Sequence, residues 1–311
     1  MSLSAIDCIV RGIANLRANW ELVLLQLVQT VVCLVLTIVS VVGLIMVLGA
    51  SFLLELSDPS DWASAVERLE GFSVDGGLLA MGLAVLVILL TVVGLVYCWF
   101  QAGIMATLER GERQAPLLQP VVPQLFRTFS GRNFRGWGNA GAWRYFNYFS
   151  LITLFGTVIL GLLVVAALIF VAAMGESAGA TAALVGCLGL IPILILVVLL
   201  NLWFMMGMAL LPREEFGAWR AVRTALTIFG RRFGGALLIA LLFIIASASV
   251  GLVFWPLGQG MASALEGSIP AWFAVQLLLT IAQWLVNGIL TVAFFASVTA
   301  LVRTELDHKV V

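Results

Sequence analysis

Residues 78–113 read LLAMGLAVLVILLTVVGLVYCWFQAGIMATLERGER. From Leu78 to Leu108 no side chain carries a charge; Glu109, Arg110, Glu112 and Arg113 then follow in quick succession. A helix rising 1.5 Å per residue needs about 20 residues to cross roughly 30 Å of hydrocarbon, so this run crosses with length to spare. A surface helix of a soluble protein would carry polar residues on one face, and this one has none. The stretch predicts a transmembrane helix whose C-terminal end emerges into water with its charges.

Five more runs share this character, near 22–50, 149–174, 183–211, 236–256 and 271–301. The chain is 62% hydrophobic and 10% charged, outside the range of soluble domains. Fifteen of its sixteen Lys and Arg residues fall in alternate gaps between the runs. Arg11 and Arg17 precede the first run, and Arg110, Arg113, Arg127, Arg132, Arg135 and Arg144 separate the second from the third. Arg213, Arg220, Arg223, Arg231 and Arg232 separate the fourth from the fifth, and Arg303 and Lys309 follow the sixth. The remaining gaps hold only Arg68. Cytoplasmic loops keep Lys and Arg while translocated loops lose them, so both termini are expected in the cytoplasm. The first run is about twice the length of a signal-peptide core and is expected to stay as an anchor. Cys8, Cys33, Cys98 and Cys187 lie in spans or on the cytoplasmic side and form no CxxC, so neither disulfides nor zinc are indicated. Arginine far outnumbers lysine, which suits a GC-rich bacterial genome; the expected location is the bacterial inner membrane.

The spans end in similar strings. Ala106-Thr-Leu-Glu-Arg-Gly-Glu112, Ala209-Leu-Leu-Pro-Arg-Glu-Glu215 and Ala300-Leu-Val-Arg-Thr-Glu305 close the second, fourth and sixth, each after a pair of aromatics. Arg at such an end interacts with the negative end of the helix dipole and reaches head groups. Each odd-numbered span is preceded by an amphipathic stretch. Leu3, Ile6, Val10, Ile13 and Leu16 share one face, with Asp7, Arg11 and Asn15 elsewhere. Trp219, Val222, Leu226, Phe229 and Phe233 share another, with Arg220, Arg223, Thr227 and Arg231 facing away. The middle copy is a shorter stripe of Leu118, Val122, Leu125 and Phe129 after Pro116 and Pro120. A helix of this kind lies in the membrane interface. The expected fold is all-α: six transmembrane helices as three hairpins, each preceded by a cytoplasmic in-plane helix. They form a single integral membrane domain over 1–311, with pseudo-repeats at about 1–112, 113–215 and 216–311. In the outer segment from Glu55 to Gly77, Asp58 before Pro59 predicts a short capped helix through Trp62, Val66 and Leu69.

The stretch Leu211-Pro-Arg-Glu-Glu-Phe-Gly-Ala-Trp-Arg-Ala-Val-Arg-Thr-Ala-Leu226 has Pro212 ending a span, an acidic Glu215, Gly217, then an Ala/Arg-rich amphipathic helix. With six spans and in-plane segments, it resembles the membrane domain fused to some bacterial glycerophosphodiester phosphodiesterases, and their stand-alone, uncharacterised six-span relatives. Those relatives often carry a Pro-Gly-Ile turn in the fourth span, where this chain has Gly189-Leu-Ile-Pro192. The resemblance implies a membrane location and a fold. The phosphodiesterase activity of the fused proteins belongs to a separate barrel domain, so the resemblance assigns no activity to this part.

Catalytic residues are scarce. His308 is the only histidine and lies in the charged tail, leaving Ser and Cys without an inward-facing base. No Asp, Glu, Lys or Arg lies deep within a span, which argues against an intramembrane aspartyl protease, a carboxylate-bound metal and a proton relay. No cofactor is indicated. Gly136-Trp-Gly138-Asn-Ala-Gly141 matches a dinucleotide fingerprint as a string but lacks the flanking strand and helix, and reads as a flexible connection. The Arg127–Tyr145 loop mixes Arg with Phe129, Phe134, Trp137 and Trp143, which suits a lipid interface better than nucleic acid. Gly189 and Pro192 interrupt the fourth span, an arrangement that transporters sometimes use.

Two uncharged polar faces run along spans. Gln26, Thr30, Cys33, Thr37 and Ser40 step by helical turns on the first, and Gln276, Thr280, Gln283, Asn287 and Thr291 on the sixth. Such groups need partners in hydrocarbon, so both faces are expected to point into the bundle. They serve either as interhelical glue or as a polar pathway or pocket, which Asn147 and Asn201 could join. The function expected is a non-catalytic membrane protein that binds or organises lipid, or scaffolds a membrane-protein partner. Arg132, Arg135, Arg220, Arg223, Arg231 and Arg232 are the candidates for anionic head groups. The alternative is a channel or transporter for a neutral or amphipathic solute along the two polar faces.

Overall fold

The computed structural model describes residues 3–55, 76–117, 121–174, 179–264 and 268–307, and every regular element among them is helical. In chain order these are α1 (Ala5–Ala18), α2 (Glu21–Glu55), α3 (Gly76–Gln114), a 3-10 turn at Pro123–Phe126, α4 (Gly131–Met174) and α5 (Gly179–Leu210). They continue as α6 (Ala218–Arg231), α7 (Phe233–Ala264) and α8 (Ile269–Asp307). Among the described residues five stretches are long and apolar enough to cross a membrane: Glu21–Gly43, Gly82–Gln114, Gly131–Leu163, Phe233–Met261 and Pro270–Asp307. In α5 the apolar stretch among the described residues is Ile195–Leu210. The all-helical membrane class read from the sequence is thus present. The outer segment with Asp58 and Trp62 lies outside the described residues.

The chain forms two compact units, one of Met1–Leu27 with Cys98–Val311 and one of Val28–Tyr97. In the smaller unit Val35, Val39, Val87 and Ile88 are exposed, and Thr37 and Thr91 donate to the carbonyls of Cys33 and Val87 one turn back. In the larger unit the core gathers at the C-terminal ends of α3, α5 and α8, together with α1 and the inner side of α6.

Several expectations change in the details. The segment 131–148, expected as a loop, is the first part of α4. Ser130 starts it, its side chain accepting from Asn133 N at 3.2 Å and its carbonyl from Phe134 N at 2.9 Å. Packing on α3 then holds it: a Cβ at Gly138 would sit 2.9 Å from Trp99, and one at Gly141 2.8 Å from Ala102. Trp99 Nε1 donates to Asn139 at 2.7 Å, and Phe134 meets Trp99 edge-on. The Gly136–Gly141 string therefore contains contact points between helices and is no flexible link. The middle in-plane helix is reduced to the 3-10 turn, since Val122 and Arg127 on either side are extended; Leu118 and Pro120 lie outside the described residues. The α5 backbone continues as helix through Gly189 and Pro192, although Pro192 has no N–H to donate to the turn before it.

On α1 the difference lies on the polar side. Ile6, Val10 and Ile13 stand exposed while Arg11 and Asn15 are buried, the reverse of a helix in water. A capping box fixes its start, with Ser4 Oγ accepting from Asp7 N at 3.1 Å and Ser4 N donating to Asp7 at 3.0 Å. The Ser4 hydroxyl also donates to the Asp7 carboxylate at 2.6 Å, and this bond, with the one from Ser4 N, holds the carboxyl below its ordinary pKa.

Candidate functional site

The repeated strings at the ends of α3, α5 and α8 supply three groups of ion pairs, of which the one around Glu112 is closed off by protein. Glu112 of α3 accepts from Arg11 of α1 at 2.6 Å, with the two side chains 0% and 2% exposed. Arg303 of α8 stands 3.8 Å from the same carboxylate. The α3 C-terminus supplies further acceptors: Arg11 reaches the carbonyls of Pro116 at 3.0 Å and Ala115 at 3.3 Å, and Arg303 reaches Ala115 at 2.9 Å. Here two cations meet the negative end of a helix dipole. Glu109, one turn earlier, accepts from Arg113 at 2.7 Å and from Arg213 beyond α5 at 2.9 Å. Glu305 of α8 accepts from Arg232 at 3.0 Å and Arg231 at 3.4 Å.

Two asparagines extend the cluster. Asn15 Nδ2 donates to Leu108 O at 2.9 Å. Asn19 Nδ2 donates to Phe126 O at 2.8 Å, while its Oδ1 accepts from the backbone of Thr128 and Phe129. Arg127 holds Glu21 with two nitrogens, at 2.7 and 2.5 Å, and this pairing raises its pKa. Cys8 is fully buried in the same region. Burial, and then the nearby Glu112 charge, push its thiol up to about 12. Tyr145 and Tyr148 of α4 donate to Met208 O and Phe204 O, both at 2.9 Å, tying α4 to α5.

The sequence reading named none of these acids or asparagines as site residues. Glu109, Glu112 and Glu305 sit beside the repeated Arg, and that recurrence was the available signal. It was assigned to dipoles and head groups because the string does not say which Arg turns inward.

Of the predicted head-group arginines, Arg132, Arg135, Arg220 and Arg223 are exposed, and Arg231 and Arg232 hold Glu305. Arg223 lies over the Trp219 ring at 5.0 Å, and Trp219 stacks on Phe155 of α4. Trp203 of α5 fixes α6 by donating to Val222 O at 3.1 Å.

The hydroxyls of the polar faces are satisfied locally. Thr280 and Thr291 donate at 2.8 Å to Gln276 O and Asn287 O on their own helix, as Thr37 does on α2. A hydroxyl that bonds one turn back no longer requires a partner on another helix. Thr30, Thr37 and Gln276 are exposed, and Gln26, Gln283, Asn287 and Thr291 are half-buried. Gln26 approaches Gln101 at 3.5 Å, the outer limit of a hydrogen bond.

A cleft of about 580 Å³ lies between α5, α7 and α8, bordered by Asn201, Met205, Phe243, Ser247 and Thr291 among others. Thr291 is the only member of the α8 polar face among its lining residues. Among the described residues no three His, Cys, Asp or Glu side chains converge as metal ligands. No family model, no curated protein and no solved structure matches the chain.

Proposed function

We propose that this chain is a non-catalytic integral membrane protein that binds and organises anionic lipid at the cytoplasmic interface, mainly through α6. One observation carries the reading: α6 has three sides. Ala221, Val222, Ala225 and Ile228 are covered by protein; Trp219 and Leu226 are exposed at 50% and 56%; Arg220, Arg223 and Thr227 are exposed beside them. In water such a helix would gain nothing from an uncovered Trp and Leu. At head-group depth the two rest in acyl chains while the arginines meet phosphates. Arg132, Arg135 and the exposed Trp143 at the start of α4 offer the same pairing. Near an anionic surface each Arg contributes on the order of 1 kcal/mol before screening.

In this reading α5 is a sixth span, the spans pair as three hairpins, and both termini lie in the bacterial cytoplasm, as the arginine distribution favours. The likeness of 211–226 to the glycerophosphodiester phosphodiesterase membrane domain fits, because that domain is not the catalytic part of its proteins. Topology is tested with exposed positions in a cysteine-free background. Ser268→Cys reacts with an impermeant thiol reagent outside intact cells and Gln114→Cys does not; the opposite pattern overturns the orientation. Thr304 is buried and would report neither side.

The lipid reading is tested on the full-length protein in nanodiscs of mixed phosphatidylglycerol and phosphatidylcholine, extracted gently for native mass spectrometry. The wild type is expected to retain phosphatidylglycerol, and Arg220→Gln with Arg223→Gln to lose most of it at unchanged melting temperature. Equal retention of both lipids by both proteins would give the lead to a scaffold for a membrane-protein partner.

A further inference from the structure

We propose that the cleft between α5, α7 and α8 is a binding site for a neutral long-chain lipid bearing a hydroxyl or ester group, entering sideways from the bilayer. The site is separate from α6, and the proposal stands whether or not the interfacial reading does. Its walls are apolar: Leu202, Met205, Phe243, Ile244, Leu290 and Phe294 contribute most of the surface. Three neutral polar residues, Asn201, Ser247 and Thr291, complete the lining, and no ionisable residue takes part. A predominantly apolar cleft of a few hundred Å³ with a few polar groups is the usual form of a ligand site.

Depth places the three polar groups together. Asn201 and Thr291 each precede a cytoplasmic-end arginine, Arg213 or Arg303, by twelve residues, and Ser247 follows Arg232 by fifteen. At 1.5 Å per residue, Asn201 lies about 14 Å from the α5 end at Leu210, Thr291 about 18 Å from Arg303 and Ser247 about 21 Å from the α7 start at Phe233, all inside the hydrocarbon. Thr291 satisfies its proton on Asn287 O and keeps its oxygen available. Neither the Asn201 amide nor the Ser247 hydroxyl makes a hydrogen bond among the described residues, and both are exposed. Unbonded amide and hydroxyl groups are costly in hydrocarbon. A ligand that relieves the cost must bring a hydrogen-bonding oxygen to that depth. It must also be uncharged, because no counter-charge lines the site, and otherwise apolar. A neutral lipid meets all three conditions, whereas a charged phospholipid head group stays at the interface and meets none of them.

The test uses full-length protein in phosphatidylethanolamine–phosphatidylglycerol nanodiscs with a diazirine-bearing diacylglycerol as photoprobe, followed by peptide mapping. Adducts are expected on cleft residues of α5, α7 and α8, and unlabelled diacylglycerol or hexadecanol should remove them. Asn201→Leu should lower labelling about fivefold, the worth of one net hydrogen bond, without lowering the melting temperature. Ala248→Trp, which fills the cleft from its rim, should abolish labelling whatever becomes of the amide. Undiminished labelling in both variants, adducts spread evenly over the exposed helices, or equally effective competition by phosphatidic acid would overturn the proposal.

Discussion

From Cys98 to Glu109, α3 is covered by protein at every position except Trp99; one segment earlier, Leu83, Val87, Ile88 and Leu90 are more than half exposed. The same contrast divides α8. Val292 to Val302 are buried apart from Phe294, whereas Phe273 and Leu278 are exposed at 62% and 67%. The charged ends are therefore the core, and the most apolar segments are the surface. In hydrocarbon a valine gains little by leaving lipid for protein, so apolar character alone does not gather helices. Ion pairs and close glycine contacts can, and both concentrate at these ends.

The largest test of this contrast pits Glu112 against Val87. Glu112→Ala leaves Arg11 and Arg303 without their shared carboxylate in a closed site, a loss expected to cost about 3–5 kcal/mol. Val87→Ala, on an exposed stretch of the same helix, should stay within about 0.5 kcal/mol. Denaturant titration in mixed micelles measures both, and comparable losses would erase the distinction between ends and spans. Cys8 reports locally. Its high thiol pKa and full burial should keep it unreactive towards maleimide at pH 8 in an otherwise cysteine-free protein. Glu112→Ala should open it to reagent, and ready labelling of the parent would contradict the closed site.

Glycines sharpen the comparison next. A Cβ at Gly207 would run into the Tyr148 hydroxyl, while one at Gly156 meets nothing within 4 Å. Gly207→Ala should cost about 1–3 kcal/mol by overpacking. Gly156→Ala should instead stabilise by up to about 1 kcal/mol, because alanine is the better helix former. If both changes had the same sign, packing would not differ between the α4–α5 contact at Tyr148 and the open stretch of α4 at Gly156.

Why the helices were legible and the cluster was not follows from the same physics. Uninterrupted apolar runs such as 78–108 admit few structures in a membrane, so periodicity and length sufficed. Helix ends such as 106–114 were read too short, because charge was taken to mark exit into water. At Glu112 and Arg303 charge instead marks burial against an opposite charge. For a related reason the sequence does not show where Arg11 points: the apolar side with Ile6, Val10 and Ile13 is legible, but the acceptors that bury the opposite side lie about 100 residues on. The start of α4 was missed because Gly136, Gly138 and Gly141 suggest a loop, and the α3 side chains that turn two of them into contact points lie some 40 residues back.

The smallest expected effect concerns the α8 polar face. Gln283 is half-buried and makes no hydrogen bond among the described residues. Its amide therefore carries a desolvation cost in the span with no bond within the described chain to offset it. Membrane hydrogen bonds average about 0.6 kcal/mol, so Gln283→Leu should change stability by less than about 1 kcal/mol, and in the favourable direction. Thr280 and Thr291, bonded to their own helix, should tolerate Val similarly. A loss well above 1 kcal/mol on Gln283→Leu would mean that the amide is bonded across an interface, as between two copies of the chain. If melting stays level while a solute flux measured in proteoliposomes disappears, the polar face is a pathway. The spans would then carry the function, the charged ends would be only their fastening, and the channel or transporter reading would displace the lipid-organising one.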